Sequence, residues 1–153
     1  GLRSMSDSTF QTVRLAQRQD YQFDIDFGAG LPPLQADEPA PLGQGQGPTP
    51  VQLLAASVGN CLGDSLLFAL RKFKQKPEPI HTEVQAEIGR NAEGRLRVLG
   101  LNVTLTLGVP AASLEHLERV LATFDNYCTV TQSVAGSIPV TLRVHDSSGA
   151  ILR

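Results

Sequence analysis

Two thiols are the side chains in this sequence best suited to chemistry. Cys61 lies in "GNCLGD" and Cys128 in "DNYCTV", and they are the only cysteines in 153 residues. A cysteine thiolate is a nucleophile, it is oxidised stepwise by peroxides, and a second thiol can close it into a disulfide. Cys128 stands where a break gives way to a short helical stretch, "CTVTQSVAG", and a helix N-terminus favours the thiolate. Cys61 stands inside a long apolar run with Gly59 and Gly63 on either side. One helical turn away from it are Ser57, Val58, Asp64 and Ser65, whereas Leu62, Leu66, Ala69, Leu70 and Phe73 form a separate packing stripe. Glycine inside a helix costs about 1 kcal/mol relative to alanine. Two of them so close imply tight packing against another backbone, or room for a substrate. Free cysteine is also among the most buried residue types, so two inert core thiols are a second reading of the same local context.

Other chemistries find less support. A structural zinc site needs about four nitrogen or sulfur ligands with close spacing, and Cys61, His81, His116, Cys128 and His145 are isolated from one another. No metal and no bound cofactor are expected, and the histidines are expected at the surface. Net charge is −2 and the pI about 5.9. The one cationic run, "RKFKQK" from Arg71 to Lys76, reads as the end of a helix whose dipole favours positive charge. A nucleic-acid partner is therefore not expected. No uninterrupted run of about 18 apolar residues is present, and the opening residues are polar. Neither a membrane span nor a signal peptide is expected, which points to a reducing cytoplasm. There a lasting structural disulfide is disfavoured, and a catalytic or sensing one is compatible. "GLRS", residues 1–4, reads as a tag remnant before Met5, leaving a single domain over residues 5–153.

The elements that must position the thiols follow from periodicity. Residues 9–18 and 21–27 alternate as two strands of a hairpin turned by "RQD". Residues 28–48 are rich in glycine and proline and are expected to hold no regular structure. From Thr49, as N-cap, and Pro50 a helix is expected to run to about Lys76, ended by Pro77 and Pro79. It is apolar around most of its circumference, more than one small domain can surround, so a partner copy is expected to help bury it. Residues 80–108 read as a hairpin turned by "RNAEG". Its second strand buries Leu99, Leu101, Val103, Leu105 and Leu107 on one face. A helix over residues 110–124, a short helix after Cys128 and a last strand with Ile138, Val140, Leu142 and Val144 complete the chain. The expected class is α+β, in the order β-β-α-β-β-α-α-β.

Two stretches together resemble the OsmC/Ohr family, the osmotically inducible protein C and organic hydroperoxide resistance proteins. One is "GPTPVQLLAASVGNCLGDSL", with a cysteine eleven residues after the proline that opens the helix; the other is "DNYCTVTQSVAGSIPVTLRV". The element order matches over nearly all of residues 9–146. The resemblance implies an intertwined homodimer with buried central helices and active sites at the dimer interface. It implies that Cys61 is the peroxidatic residue and Cys128 the resolving one, with a dithiol such as a lipoylated protein as reductant and an organic hydroperoxide as substrate. The family also sets an arginine, held by a glutamate, beside the nucleophile. The two places the glutamate takes in the family are Val51 and Gln52 here. That leaves Gln52 or Glu38 as support, and Arg14 or Arg18 as the guanidinium. Leu54, Val58 and Phe68 are expected to line the substrate pocket. The alternative is a divergent member without fast peroxidase activity, acting as a redox sensor or small-molecule binding protein. A dimer with inert cysteines is a third reading.

Overall fold

The computed structural model describes residues 7–153; the expected tag remnant and Met5 lie outside them. The described chain divides into a first unit ending at Pro50 and a second from Val51 to Arg153. In the first, β1 (Arg14–Gln19), β2 (Gln22–Asp26) and β3 (Leu34–Ala36) form an antiparallel sheet in that order. Gln19 pairs with Gln22, so Asp20 and Tyr21 make the turn, one residue later than "RQD" implied. Asp20 takes a φ of 48°, a conformation that aspartate tolerates better than most residues. β1 begins later than its alternating pattern suggested, and all of it is exposed in the single chain.

The glycine- and proline-rich stretch is more regular than expected, because it contains β3. Its organiser is Asp37, which is buried. Its carboxylate accepts the backbone N–H of Glu38 (2.7 Å), Gln46 (3.1 Å) and Gln44 (3.3 Å), and the side-chain amide of Gln22 (3.5 Å). One side chain satisfies donors that have no ladder partner. Burial pushes the Asp37 carboxyl up, but the amides of Gln46, Glu38 and Gln44 prevail and hold it below the usual value.

The second unit is built on α1 (Pro50–Lys72). It ends at Lys72, earlier than Pro77 implied. Lys74 adopts a φ of 59°, and Lys74 N–H and Gln75 N–H bond to the carbonyls of Arg71 (2.9 Å) and Leu70 (3.0 Å). That is the Schellman closure, here without glycine. One stripe of α1, comprising Ala55, Val58, Gly59, Leu62, Leu66 and Leu70, is buried. It joins Leu101, Val103, Leu105, Leu107, Val120, Leu121, Phe124 and Val144 in the core. α1 is long enough, and in an 18-residue window with mean hydropathy 1.6 apolar enough, to cross a membrane by length and composition alone. A core helix has the same composition, and this one packs its leucines into a core.

The second sheet has β5 (Leu96–Thr106) at its centre, antiparallel to β4 (His81–Arg90) and parallel to β6 (Val140–His145). The predicted hairpin turn is there, with Asn91 Oδ1 accepting N–H from Glu93 and Arg95, each at 3.0 Å. A bulge explains the one failure of alternation. Glu87 pairs with Gly100 and Ile88 with Val98, so Leu99 is the extra residue. Leu99 is consequently exposed, and Val98 packs on the core instead. The helix expected over residues 110–124 is only α2 (Leu117–Thr123), flanked by 3₁₀ turns over Ala111–Ser113 and Phe124–Tyr127. α3 (Thr129–Val134) follows Cys128 as expected. The order is β-β-β-α-β-β-α-α-β, an α+β fold with two sheets and a long central helix.

The glycines around Cys61 have different reasons. A Cβ on Gly59 would fall 2.7 Å from Val84 Cγ2 and 3.2 Å from Thr82 Cγ2, so α1 rides directly on β4 there. At Gly63 the nearest atom would be Thr82 Oγ1 at 3.5 Å, an ordinary contact. Gly59→Ala is therefore expected to destabilise the protein by about 1–3 kcal/mol through overpacking. Gly63→Ala should be neutral or stabilising by up to about 1 kcal/mol through helix propensity. Urea unfolding midpoints of the two variants check this, and equal effects would contradict it.

Asp146, just beyond β6, provides a pH test. Its carboxylate accepts N–H from Ala111 (2.8 Å), the Ser148 hydroxyl (2.7 Å), and N–H from Ala150 (3.0 Å) and Ser148 (2.9 Å), which lower its pKa to about 2. The folded pKa lies below the unfolded value of about 3.9. Its stabilising contribution is thus complete above that value and disappears as pH falls through the folded pKa. The stability gap between wild type and Asp146→Ala, measured by urea unfolding, should narrow steadily from about pH 4 to about pH 2. A gap that stays constant over that window would show that the carboxylate's charge is immaterial.

Candidate functional site

Cys61 is half-buried on α1, and Cys128 is fully buried immediately before α3. α1 makes about 3.6 residues per turn, so with Gly59 against β4, Cys61 is rotated roughly 200° away from that strand. It meets the start of α3. Its thiol interacts with that of Cys128 and with the backbone amides of Val130 and Thr131, and it packs against the core cluster that contains Cys128. Cys128 in turn donates to Thr131 Oγ1 at 2.9 Å. The two thiols singled out in the sequence are thus neighbours, and the first turn of α3 serves both.

The electrostatics oppose a low pKa at Cys61. Burial is the largest influence and pushes the thiol up; hydrogen bonding and charge repulsion with Cys128 add to it. The amides of Val130 and Thr131 pull it down without reversing the balance. None of these influences is a cationic side chain.

Farther along α1 lies a cavity of about 530 Å³ lined by Phe68, Phe73, Phe124 and Tyr127, with Lys72 and Arg119 among its charged residues. Neither cysteine lines it; its nearest lining residues on α1 are Asp64 and Ser65, one turn after Cys61. Asp64, whose charge stands close to the thiol in sequence, accepts from Asn60 Nδ2 at 3.3 Å. Phe68 lines this cavity. Val58 does not: it has no exposed surface and belongs to the core cluster. Leu54 is half-buried two turns before Cys61, and its carbonyl accepts from Ser57 Oγ at 2.7 Å.

The expected supporting residues fall in two places in the chain. Gln52 is nine residues before Cys61, about two and a half turns, and so on the opposite face of α1. It lines a separate cavity of about 280 Å³ with Ala55, Gly59, Thr82 and Val84. Arg14, Arg18 and Glu38 belong to the first unit. Arg14 is exposed opposite Asp26. Arg18 makes an ion pair with Asp24 (Nε to Oδ2, 3.4 Å) and donates to Gln35 Oε1 at 3.4 Å, all within its own sheet. Glu38 is half-buried, its carbonyl accepting from Gly45 N–H at 2.9 Å. Of the histidines, His81 and His116 are exposed, with His116 stacked 4.5 Å from the Phe73 ring, while His145 is half-buried rather than superficial.

Sequence reasoning missed Thr131, although its signal was present. Three residues separate it from Cys128, the spacing by which a residue at a helix N-cap reaches the third residue of the helix.

The sequence model of the OsmC family, described as OsmC-like protein, matches residues 43–143. The chain belongs to the OsmC-like family. No curated protein matches it in sequence, but solved structures share its fold. The organic hydroperoxide resistance protein OsmC of Legionella pneumophila is 20% identical, with a TM-score of 0.65, over 90% of this chain and 98% of that one. The organic hydroperoxide resistance protein OhrB of Bacillus subtilis is 18% identical, with a TM-score of 0.65, over 87% and 97%. An OsmC-like protein of unknown function from Vibrio cholerae is 15% identical with a TM-score of 0.75, over 90% and 99%.

The local electrostatics make a prediction. The Cys61 thiolate, followed by ultraviolet absorbance against pH, should titrate above an ordinary cysteine in this OsmC-like protein. Cys128→Ala removes the second-largest upward influence, so the midpoint should fall. An unchanged or higher midpoint in that variant would contradict the assignment.

Proposed function

We propose that this protein is a thiol-dependent hydroperoxide reductase, with Cys61 peroxidatic and Cys128 resolving. The observation that carries the reading is that Cys61 packs against the core cluster holding Cys128, where the two thiols interact at the start of α3. In the first step the Cys61 thiolate attacks one oxygen of ROOH. A sulfur–oxygen bond forms, the oxygen–oxygen bond breaks, and the released alkoxide takes a proton to leave as alcohol. Cys128 then attacks the sulfenic acid, and the disulfide forms with loss of water. A dithiol, such as a lipoylated protein, returns both thiols by exchange.

The apolar cavity farther along α1 supports organic hydroperoxides over hydrogen peroxide. Each Å² of apolar surface removed from water contributes about 25 cal/mol, and hydrogen peroxide has none to bury. A homodimer belongs to this reading. Only 28% of the apolar window of α1 is buried by its own chain. Phe68 on α1 and Leu15, Phe23 and Phe27 on the first sheet also stay exposed. A second copy covering these surfaces is the economical partner. The activating arginine belongs to the proposal as well, with Arg14 and Arg18 as its candidates. Catalysis in a reducing cytoplasm completes it.

The raised pKa of Cys61 favours a second reading, a redox sensor that forms the disulfide but turns over slowly. One assay separates the two. With dihydrolipoamide in excess, wild-type protein should consume cumene hydroperoxide far faster than the dithiol alone. Cys61→Ser should abolish that activity, and Cys128→Ser should keep a single-turnover burst while losing sustained turnover. Disulfide formation with turnover no faster than the protein-free blank would establish the sensor and overturn the reductase.

A further inference from the structure

The turn that presents Cys128 hangs on one residue, Asp125. The carbonyl of Asp125 accepts N–H from Cys128 at 3.1 Å and the side-chain amide of Gln132 at 3.0 Å. Its carboxylate is gripped by Arg153 in a two-pronged contact, Nη1 to Oδ1 at 2.9 Å and Nη2 to Oδ2 at 3.2 Å. The same guanidinium donates to the carbonyl of Leu121 in α2 at 2.8 Å and lies 5.7 Å from the centre of the buried Phe124 ring. Arg153 is itself fixed to β6: Val144 N–H donates to its carbonyl at 3.1 Å, and its own N–H donates to Val144 O at 3.2 Å. The register of β6 is thereby transmitted through Arg153 to α2 and to the Phe124–Tyr127 turn. The side chains of Arg153 and Asp125 are 34% and 20% exposed, so water screens this pair less than an open surface contact. A forked guanidinium–carboxylate contact also fixes direction as well as distance.

We infer that Arg153 is a positioning residue for the resolving step. Its grip on Asp125 and Leu121 holds Cys128 within bonding reach of Cys61. The inference rests on the reading of Cys61 and Cys128 as peroxidatic and resolving thiols. Once Cys61 is a sulfenic acid, Cys128 must leave Thr131 Oγ1, and the two sulfurs must close to about 2 Å. The Cys61 sulfur–oxygen bond then breaks, the sulfur–sulfur bond forms, and hydroxide departs with the Cys128 proton as water. A turn that drifts spends less time in that geometry. A second hydroperoxide then competes, converting the sulfenic acid to sulfinic acid and itself becoming alcohol. Arg153 touches neither sulfur, so its effect is confined to the competition between these two fates.

The test treats reduced full-length protein with cumene hydroperoxide, traps sulfenic acid with dimedone, and follows sulfenic, sulfinic and disulfide forms by mass spectrometry. In Arg153→Gln, sulfenic acid should form at the wild-type rate, disulfide formation should slow roughly tenfold or more, and sulfinic acid should accumulate. Asp125→Asn should reproduce this, and the double variant should be no worse than either alone. Arg153→Lys, which keeps the charge but not the fork, should fall between. Disulfide formation at the wild-type rate in Arg153→Gln overturns the inference, as does a proportionate loss of both steps, which marks a general fold defect. Absence of both sulfenic acid and the Cys61–Cys128 disulfide in the wild type overturns the paired-cysteine reading and the inference with it, a result distinct from the other two.

Discussion

The position of the reactive thiol depends on how closely α1 approaches β4. At Gly59 no Cβ intervenes, and Val84 and Thr82 occupy the space that one would need. This contact fixes the rotation of the helix about its axis. Leu62, Leu66 and Leu70 then fall into the core, and Cys61 emerges on the far side toward α3. A bulkier residue at position 59 would push the helix off the sheet or turn it, and either movement would carry Cys61 with it. The cost of glycine in a helix, about 1 kcal/mol, is small beside the leucine burial that the contact secures, since a fully buried leucine contributes roughly 1.5–3 kcal/mol.

On this frame the two thiols have unequal surroundings. Cys128 is sealed in the core and engages Thr131. Cys61 is half-buried and receives the two backbone amides at the start of α3. Amides are fixed dipoles that need no counter-acid to hold them, and they stabilise negative charge that develops on an atom in front of them. Their direction is set by the turn at Asp125, whose carbonyl accepts from Cys128 N–H. The local chemistry of Cys61 is therefore built from backbone, and backbone direction is inherited from how the chain turns before α3.

That dependence explains what the sequence could convey. The cysteines, the long helix and the β4–β5 hairpin were legible because each leaves a periodic or compositional trace. Leu101, Val103, Leu105 and Leu107 are buried as their alternation implied. Leu99 was misread because a bulge changes the parity of a strand without marking the sequence. β3 was hidden in a segment whose composition argues against strands, since its order comes from one carboxylate, Asp37, bonding to residues up to fifteen positions away. The early end of α1 was equally hidden, because Lys74 adopts the left-handed conformation usually left to glycine. The contact between Cys61 and Cys128 was not readable from spacing; the family resemblance supplied the pairing. Thr131 was missed although its spacing from Cys128 signalled it, and the action of the α3 amides on Cys61 was missed because backbone donors have no residue type to signal them.

A thiol held above its ordinary pKa is less ionised at neutral pH, but this alone does not decide between enzyme and sensor. Each unit of upward shift lowers the thiolate fraction about tenfold. The thiolate that remains is more nucleophilic, with a Brønsted slope of about 0.4–0.5. The net loss is therefore roughly threefold per unit, small against the range of rates that enzymes span. What matters more is the stabilisation of charge as the oxygen–oxygen bond breaks, which a thiolate in water lacks. In Cys61 the Val130 and Thr131 amides lower the cost of the anion, while burial and the Cys128 thiol raise it. In the proposed reaction, burial would also exclude water from the leaving oxygen of a peroxide and strengthen every remaining dipole near it. The same desolvation that raises the resting pKa thus amplifies the amides during reaction. A peroxidatic cysteine with an elevated pKa is physically coherent, provided that charge on the departing oxygen is stabilised as well.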